Sequence, residues 1–301
     1  MATSRQLSED DSCRRAAFYR QRWTPPAISP REILRKSIDQ GLLSEEDDPG
    51  QAAADHAMEL ATSTTIDTAE TDLLGLASHI SGLADFLTWV LRAEAAPWEH
   101  PPRRGLPEGQ VWESGVFLGD SGLRGVALVD RLDAMTEMSL RNSWGVQGEC
   151  AVYDDPMSLI VVEIGSLRAG KWSNPFTVGY RHPQARTLRF RKRDGESFGA
   201  NWERVAREDD EATREEWLDA MTEDGVLAEA IHVLAIEVPE RRHAIISLAE
   251  GKLRRMALEE LPEPQLSRCF DKLRLCPFRG CCPQGLEPSE VLGFYSIARL
   301  A

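Results

Sequence analysis

The chain has 301 residues, 42% of them hydrophobic, enough to bury a sizeable core as one large domain or two small ones and too apolar for disorder by default. A formal net charge of −14 argues against indiscriminate binding to a phosphate backbone, because such affinity comes from clustered Lys and Arg. The polar start MATSRQLSEDDSCRR does not resemble a signal peptide, and no apolar run is long enough to cross a bilayer, so a soluble cytoplasmic protein with no membrane partner is expected.

Ser29-Pro30-Arg31-Glu32, followed by Ile33, Leu34 and Ile38, reads as a helix start with a capping box and Pro at the first helical position, with Gly41 as the stop. An acidic break (LSEEDDPG) separates it from a second helix over Gln51 to Ala61, which carries His56. Leu73, Leu76, Ile80, Leu83, Leu87 and Leu91 then mark a long amphipathic helix from Asp72 to Ala95. The Pro-rich string from Trp98 to Gly109 reads as a loop without regular structure. Beyond it, runs rich in Val, Ile and Leu bounded by Gly, Asp and Pro predict buried strands at Val116–Leu118, Leu123–Leu132, Leu159–Ile164 and Ile231–Val238. Helical periodicity resumes at Asp209–Asp224 and Pro239–Leu261. This order suits an α/β fold, a central mixed sheet flanked by helices, with an N-terminal helical lobe. A strongly basic stretch from Arg181 to Arg193 is either a phosphate-binding stripe or a solvated charged face.

Six cysteines in a reducing compartment point to metal or redox chemistry before disulfides. Four crowd near the C-terminus, as Cys269, Cys276, Cys281 and Cys282, where Pro and Gly bend the backbone so that several thiolates can face one point. An iron–sulfur cluster or a structural zinc takes four thiolates. Adjacent Cys281 and Cys282 are poorly placed to share one centre, so Cys13 is the natural fourth ligand, and Cys150 reads as an inert buried thiol.

The string around Cys13, from Leu7 to Tyr19, resembles the N-terminal element of RecB-like nucleases of the PD-(D/E)XK superfamily that carry an iron–sulfur staple, as in the AddB type and a group of CRISPR-associated exonucleases. In that family one front cysteine joins three at the back to hold a [4Fe-4S] cluster. The final gap matches through Cys276 and Cys282, with Pro277-Phe278 also familiar, whereas the family's CxxC is widened to a gap of six after Cys269. Cys281 can replace Cys282, and zinc remains the alternative to iron and sulfide.

The resemblance extends to a catalytic set. Gly125-Val126-Ala127-Leu128-Val129-Asp130 resembles the strand ending in the metal-binding Asp, and Ser158 to Gly165 resembles the (D/E)xK strand, with Glu163 as the acid. Gly165 stands where the family has Lys, and Lys171 or Arg168 is the nearest amine or guanidinium to take its place. His56, with Gly50 before it, resembles the helix that adds a third ligand, and Gln184 is a candidate for the Gln that follows the Lys.

By this resemblance the expected core is restriction-endonuclease-like. Residues 1–110 form a helical part with Cys13 and the His motif, 111–262 the α/β core and 263–301 the cysteine-cluster segment, all in one integrated domain. His56, Asp130 and Glu163 are expected to hold Mg²⁺ or Mn²⁺, with Lys171 assisting, for hydrolysis of DNA that is single-stranded or has free ends. Gly165 also opens the alternative of a pseudo-nuclease that keeps fold and cluster and binds nucleic acid or a protein partner without cutting.

Overall fold

A computed structural model describes residues 2–3, 27–28, 30–46, 48–63, 65–66, 73–94, 98–107, 109–119, 122–164, 166–168, 171–173 and 230–256. The helix expected over 209–224, the basic stretch and both cysteine segments lie outside them.

Four strands build the central sheet: β1 (Phe117–Gly119), β2 (Gly122–Val129), β3 (Met157–Glu163) and β4 (Ile231–Ile236). Their order is β4-β3-β2-β1, with β2 and β3 parallel and both outer strands antiparallel to their neighbours, so the sheet is mixed. Strand β3 sits in the middle and is apolar on both faces. Leu159 and Val161 belong to one buried cluster, while Ile160 and Val162 belong to another. That two-sided burial is why its sequence is a continuous apolar run instead of an alternating one.

Three helices cover the first face: α1 (Pro30–Leu43), α2 (Pro49–Ser63) and α3 (Leu73–Glu94). Ile33, Leu34 and Ile38 of α1 and Ile80, Leu83, Phe86 and Leu87 of α3 are fully or almost fully buried, together with Ile160, Val162 and Ile164 from the sheet. These three helices form the layer on one face of the sheet. Gly41 does not stop α1, which runs on to Leu43. A Cβ there would lie 2.6 Å from the Pro49 carbonyl oxygen, 2.7 Å from Thr88 Cγ2 and 2.8 Å from Ala53 Cβ. Gly41 is thus the point where α1 lets α2 and α3 come close.

The opposite face is covered by α5 (Trp144–Tyr153) and α6 (Arg242–Met256), with α4 (Ala134–Arg141) preceding them in the crossover from β2 to β3. Both α4 and α5 fall where the sequence shows no helical stripe. Arg242 Nε donates to the Ala151 carbonyl (2.6 Å) and its Nη1 lies 2.9 Å from Asp154 Oδ2, which ties the start of α6 to the end of α5. The Pro-rich string is largely loop, but Arg104–Gly105 pairs antiparallel with Val111–Trp112, and Glu99 bridges to Leu118. No described helix is long and apolar enough to cross a membrane.

Cys150, on α5, has 0% exposure. Burial, with the neighbouring Glu149 carboxylate adding to it, pushes its thiol up to about 12, so the reactive thiolate is suppressed at neutral and mildly alkaline pH. Iodoacetamide at pH 8 is therefore expected to leave Cys150 unmodified in the folded protein and to alkylate it in urea. Peptide mapping by mass spectrometry reads the difference, and alkylation of Cys150 at equal rates in both states would contradict its burial.

Candidate active site

Parallel pairing fixes which residues meet at the end of the sheet. In the β2/β3 register Val129 lies opposite Glu163, and the Ile164 N–H donates to the Val129 carbonyl (2.8 Å). Asp130 follows directly on β2, so both sequence-predicted acids stand at the carboxyl ends of adjacent central strands. Open α/β sheets bind ligands preferentially at such ends, where the connections part and backbone amides are exposed.

After Asp130 the chain turns through Arg131 and Leu132 to Asp133, the N-cap of α4. Two carboxylates brace this turn. The Leu132 N–H donates to Glu163 Oε1 (2.9 Å), and the Thr136 N–H donates to Asp133 Oδ1 (2.8 Å). That backbone hydrogen bond from Thr136 holds the Asp133 carboxyl below its ordinary range. A depressed value means the cap stabilises the folded state once Asp133 is ionised, and is lost as pH falls through the lowered value.

A third group enters from β4. His232 pairs in register with Val161, and its Nε2 lies 3.3 Å from Glu163 Oε1. Both side chains are partly covered, 32% exposed for the imidazole and 17% for the carboxylate. The Nε2 atom is itself buried, and the contact misses hydrogen-bond alignment, so this nitrogen has no hydrogen-bond partner among the described residues. Sequence reading passed over His232 because its proximity to Glu163 depends on strand register across a long insertion. The only signal was a His at the start of an apolar run.

The other expected residues lie elsewhere. His56 sits on α2, with its Nδ1 3.7 Å from Glu59 Oε2 one turn along the same helix. Among the described residues no three His, Cys, Asp or Glu side chains form a group able to hold a metal ion, so neither His56 nor His232 is gathered with Asp130 and Glu163 into such a group. Lys171 is described in its backbone alone, paired with Arg168 across the short hairpin of Ser166–Arg168 and Lys171–Ser173 that follows Ile164. Gly165, Gln184, Cys13, Cys269, Cys276, Cys281 and Cys282 fall outside the described residues.

No family model, no curated protein and no solved structure matches the chain.

Proposed function

We propose that the chain is a metal-dependent DNA nuclease of the RecB-like PD-(D/E)XK type, cutting phosphodiester bonds at the strand ends that carry Asp130 and Glu163. The single observation that supports this reading is the parallel β2/β3 register, which pairs Val129 with Glu163 and so leaves Asp130 and Glu163 at the carboxyl ends of neighbouring strands. Asp130 and Glu163 would hold Mg²⁺ or Mn²⁺, since carboxylate oxygens are the donors such ions take. A bound divalent ion supplies polarisation of the phosphate and activation of a water. The chain's own part is positioning, since the Leu132 N–H fixes the Glu163 carboxylate and the Asp133 cap fixes the turn that carries Asp130.

On this reading Cys13, Cys269, Cys276 and Cys282 hold a [4Fe-4S] cluster that staples the two ends of the chain, the Arg181–Arg193 stretch contacts DNA phosphates, and the protein works in the cytoplasm. Purified protein with Mn²⁺ is expected to degrade single-stranded or end-containing DNA. Asp130→Ala is expected to slow cleavage by a factor on the order of 100 or more. Equal rates in the two proteins would sink the assignment. A second reading is favoured by Gly165, where the resemblance calls for Lys: a pseudo-nuclease that binds nucleic acid or a protein partner. Cleavage gained only in Gly165→Lys would select it.

A further inference from the structure

An edge strand turns N–H and C=O groups outward, where a further strand can take them up, and β1 is one edge of the described sheet. Leu118 points its backbone groups away from β2, and Val116, two residues earlier, points the same way. The Leu118 N–H donates to the Glu99 carbonyl (2.6 Å). The Val116 N–H donates to Ser114 Oγ (3.1 Å), and the Val116 carbonyl accepts from Ser114 Oγ (3.1 Å) and stands 3.1 Å from His100 Nδ1. A carbonyl only accepts, so this last bond puts the proton on Nδ1, and the imidazole takes the place of a neighbouring strand's backbone N–H. Pro101 and Pro102 come next, with no N–H to continue a ladder. At the opposite edge a side chain serves in the same way, where Arg141 Nη1 donates to the Ala235 carbonyl of β4 (2.7 Å).

The segment that supplies Glu99 and His100 is anchored on both faces of the sheet. Trp98 is buried in the cluster beneath α1, α2 and α3, and Leu106 in the cluster beneath α5 and α6. Between them the exposed His100 ring stacks on Phe117 (centroids 5.1 Å apart, planes 16° apart), and Trp98 meets the same ring edge-on at 5.0 Å. We propose that Trp98 to Leu106 is a latch that closes the β1 edge against pairing with a second copy of this chain. The occupant follows from self-complementarity. When two such edges lie antiparallel about an axis at Phe117, Val116 of one copy and Leu118 of the other exchange both backbone hydrogen bonds, which is the isologous pairing of a twofold dimer. The latch and the second copy compete for the same Leu118 N–H and Val116 carbonyl, so an edge holding one does not hold the other. The inference is independent of any catalytic reading of the strand ends.

The test is hydrogen exchange at the Leu118 amide of the full-length protein over a range of concentrations, with light scattering on the same samples. In the natural protein Leu118 is expected to be protected to the same degree at every concentration. His100→Ala removes an exposed ring and leaves the Val116 carbonyl its Ser114 donor, so the fold is kept. In that variant Leu118 exchange is expected to rise about tenfold in dilute protein and to slow again as dimers form at high concentration. Trp98→Ala frees the anchored end of the latch and is expected to give the same pattern with a larger amplitude. Unchanged Leu118 exchange in both variants, or in His100→Ala where Trp98→Ala does not fold, overturns the proposal. Faster exchange without dimers at any concentration overturns it, as do dimers in which Leu118 still exchanges fast, because those pair through another surface. Two results in the natural protein also overturn it and need no variant to fold: a Leu118 amide that exchanges like an unstructured one, or protection of Leu118 that grows with concentration.

Discussion

Glu149→Ala is expected to lower the folding stability by about 4 kcal/mol, read as a shift of the urea midpoint and a drop of about 10 °C in the melting temperature. Glu149 has 0% exposure in the middle of α5. Its Oε2 accepts from the Trp112 indole N–H (2.9 Å) and its Oε1 from the Gly115 N–H (3.1 Å). A buried carboxylate is tolerated only when donors replace its lost water, and these two donors lie on the segment leading into β1. Truncation removes the acceptor for both and leaves a void against Trp112, itself 0% exposed. Two stranded donors at about 1–3 kcal/mol each outweigh what is gained by no longer burying a charge. Glu149→Gln keeps the volume and one good acceptor but turns an NH₂ toward a donor, so an intermediate loss of about 2 kcal/mol is expected. A Glu149→Ala protein as stable as the natural one would show that this link does not hold the segment to α5.

Gly41→Ala is expected to destabilise the protein by about 2 kcal/mol, although the same change in an exposed helix stabilises by up to about 1 kcal/mol. Which effect wins is decided by what the new methyl meets. At Gly41 it meets the Pro49 carbonyl oxygen at 2.6 Å and Ala53 Cβ at 2.8 Å, and neither can rotate away. Relief requires α1 to move off α2 and α3, which loosens the layer containing Leu34, Ile38 and Leu87. Urea denaturation gives the sign directly, and a midpoint at or above that of the natural protein would show that the helices separate at little cost.

Gly41 also illustrates where sequence reading fails. Glycine near the end of a periodic stretch is ordinarily a helix terminator, and only the packing of two other helices against it gives it another purpose. The helices α1, α2 and α3 were legible because each has a wide apolar stripe turned to one core. The crossover helices were not, for opposite reasons. No residue of α4 is buried, and Met135 and Met138 are exposed, so no stripe exists. In contrast, α5 is buried from Gly148 to Tyr153 without interruption, which erases any period. The one local sign was Asp133 three residues before Thr136, a cap without a stripe behind it.

Asp130 and Glu163 were legible as acids closing apolar runs, and the structure places them at adjacent strand ends. His232 was not, because its meaning comes from β4 lying antiparallel on β3, and nothing in IHVLAIEV fixes that register. His56 was marked by its resemblance to the helix that adds a third ligand, which says nothing about which surface that helix turns to the sheet.

Strand order has a consequence for how the molecule assembles itself. The β1–β2 hairpin and the helical layer join neighbours in sequence, and β3 reaches β2 through one short crossover. Strand β4 must return across everything between Glu163 and Ile231 before it can dock. Closure over so long a stretch of sequence is expected to make this the slowest pairing of the four strands, because chain entropy is lost before any contact compensates for it. Strand β4, and His232 with it, is therefore expected to be the last of these four strands to pair.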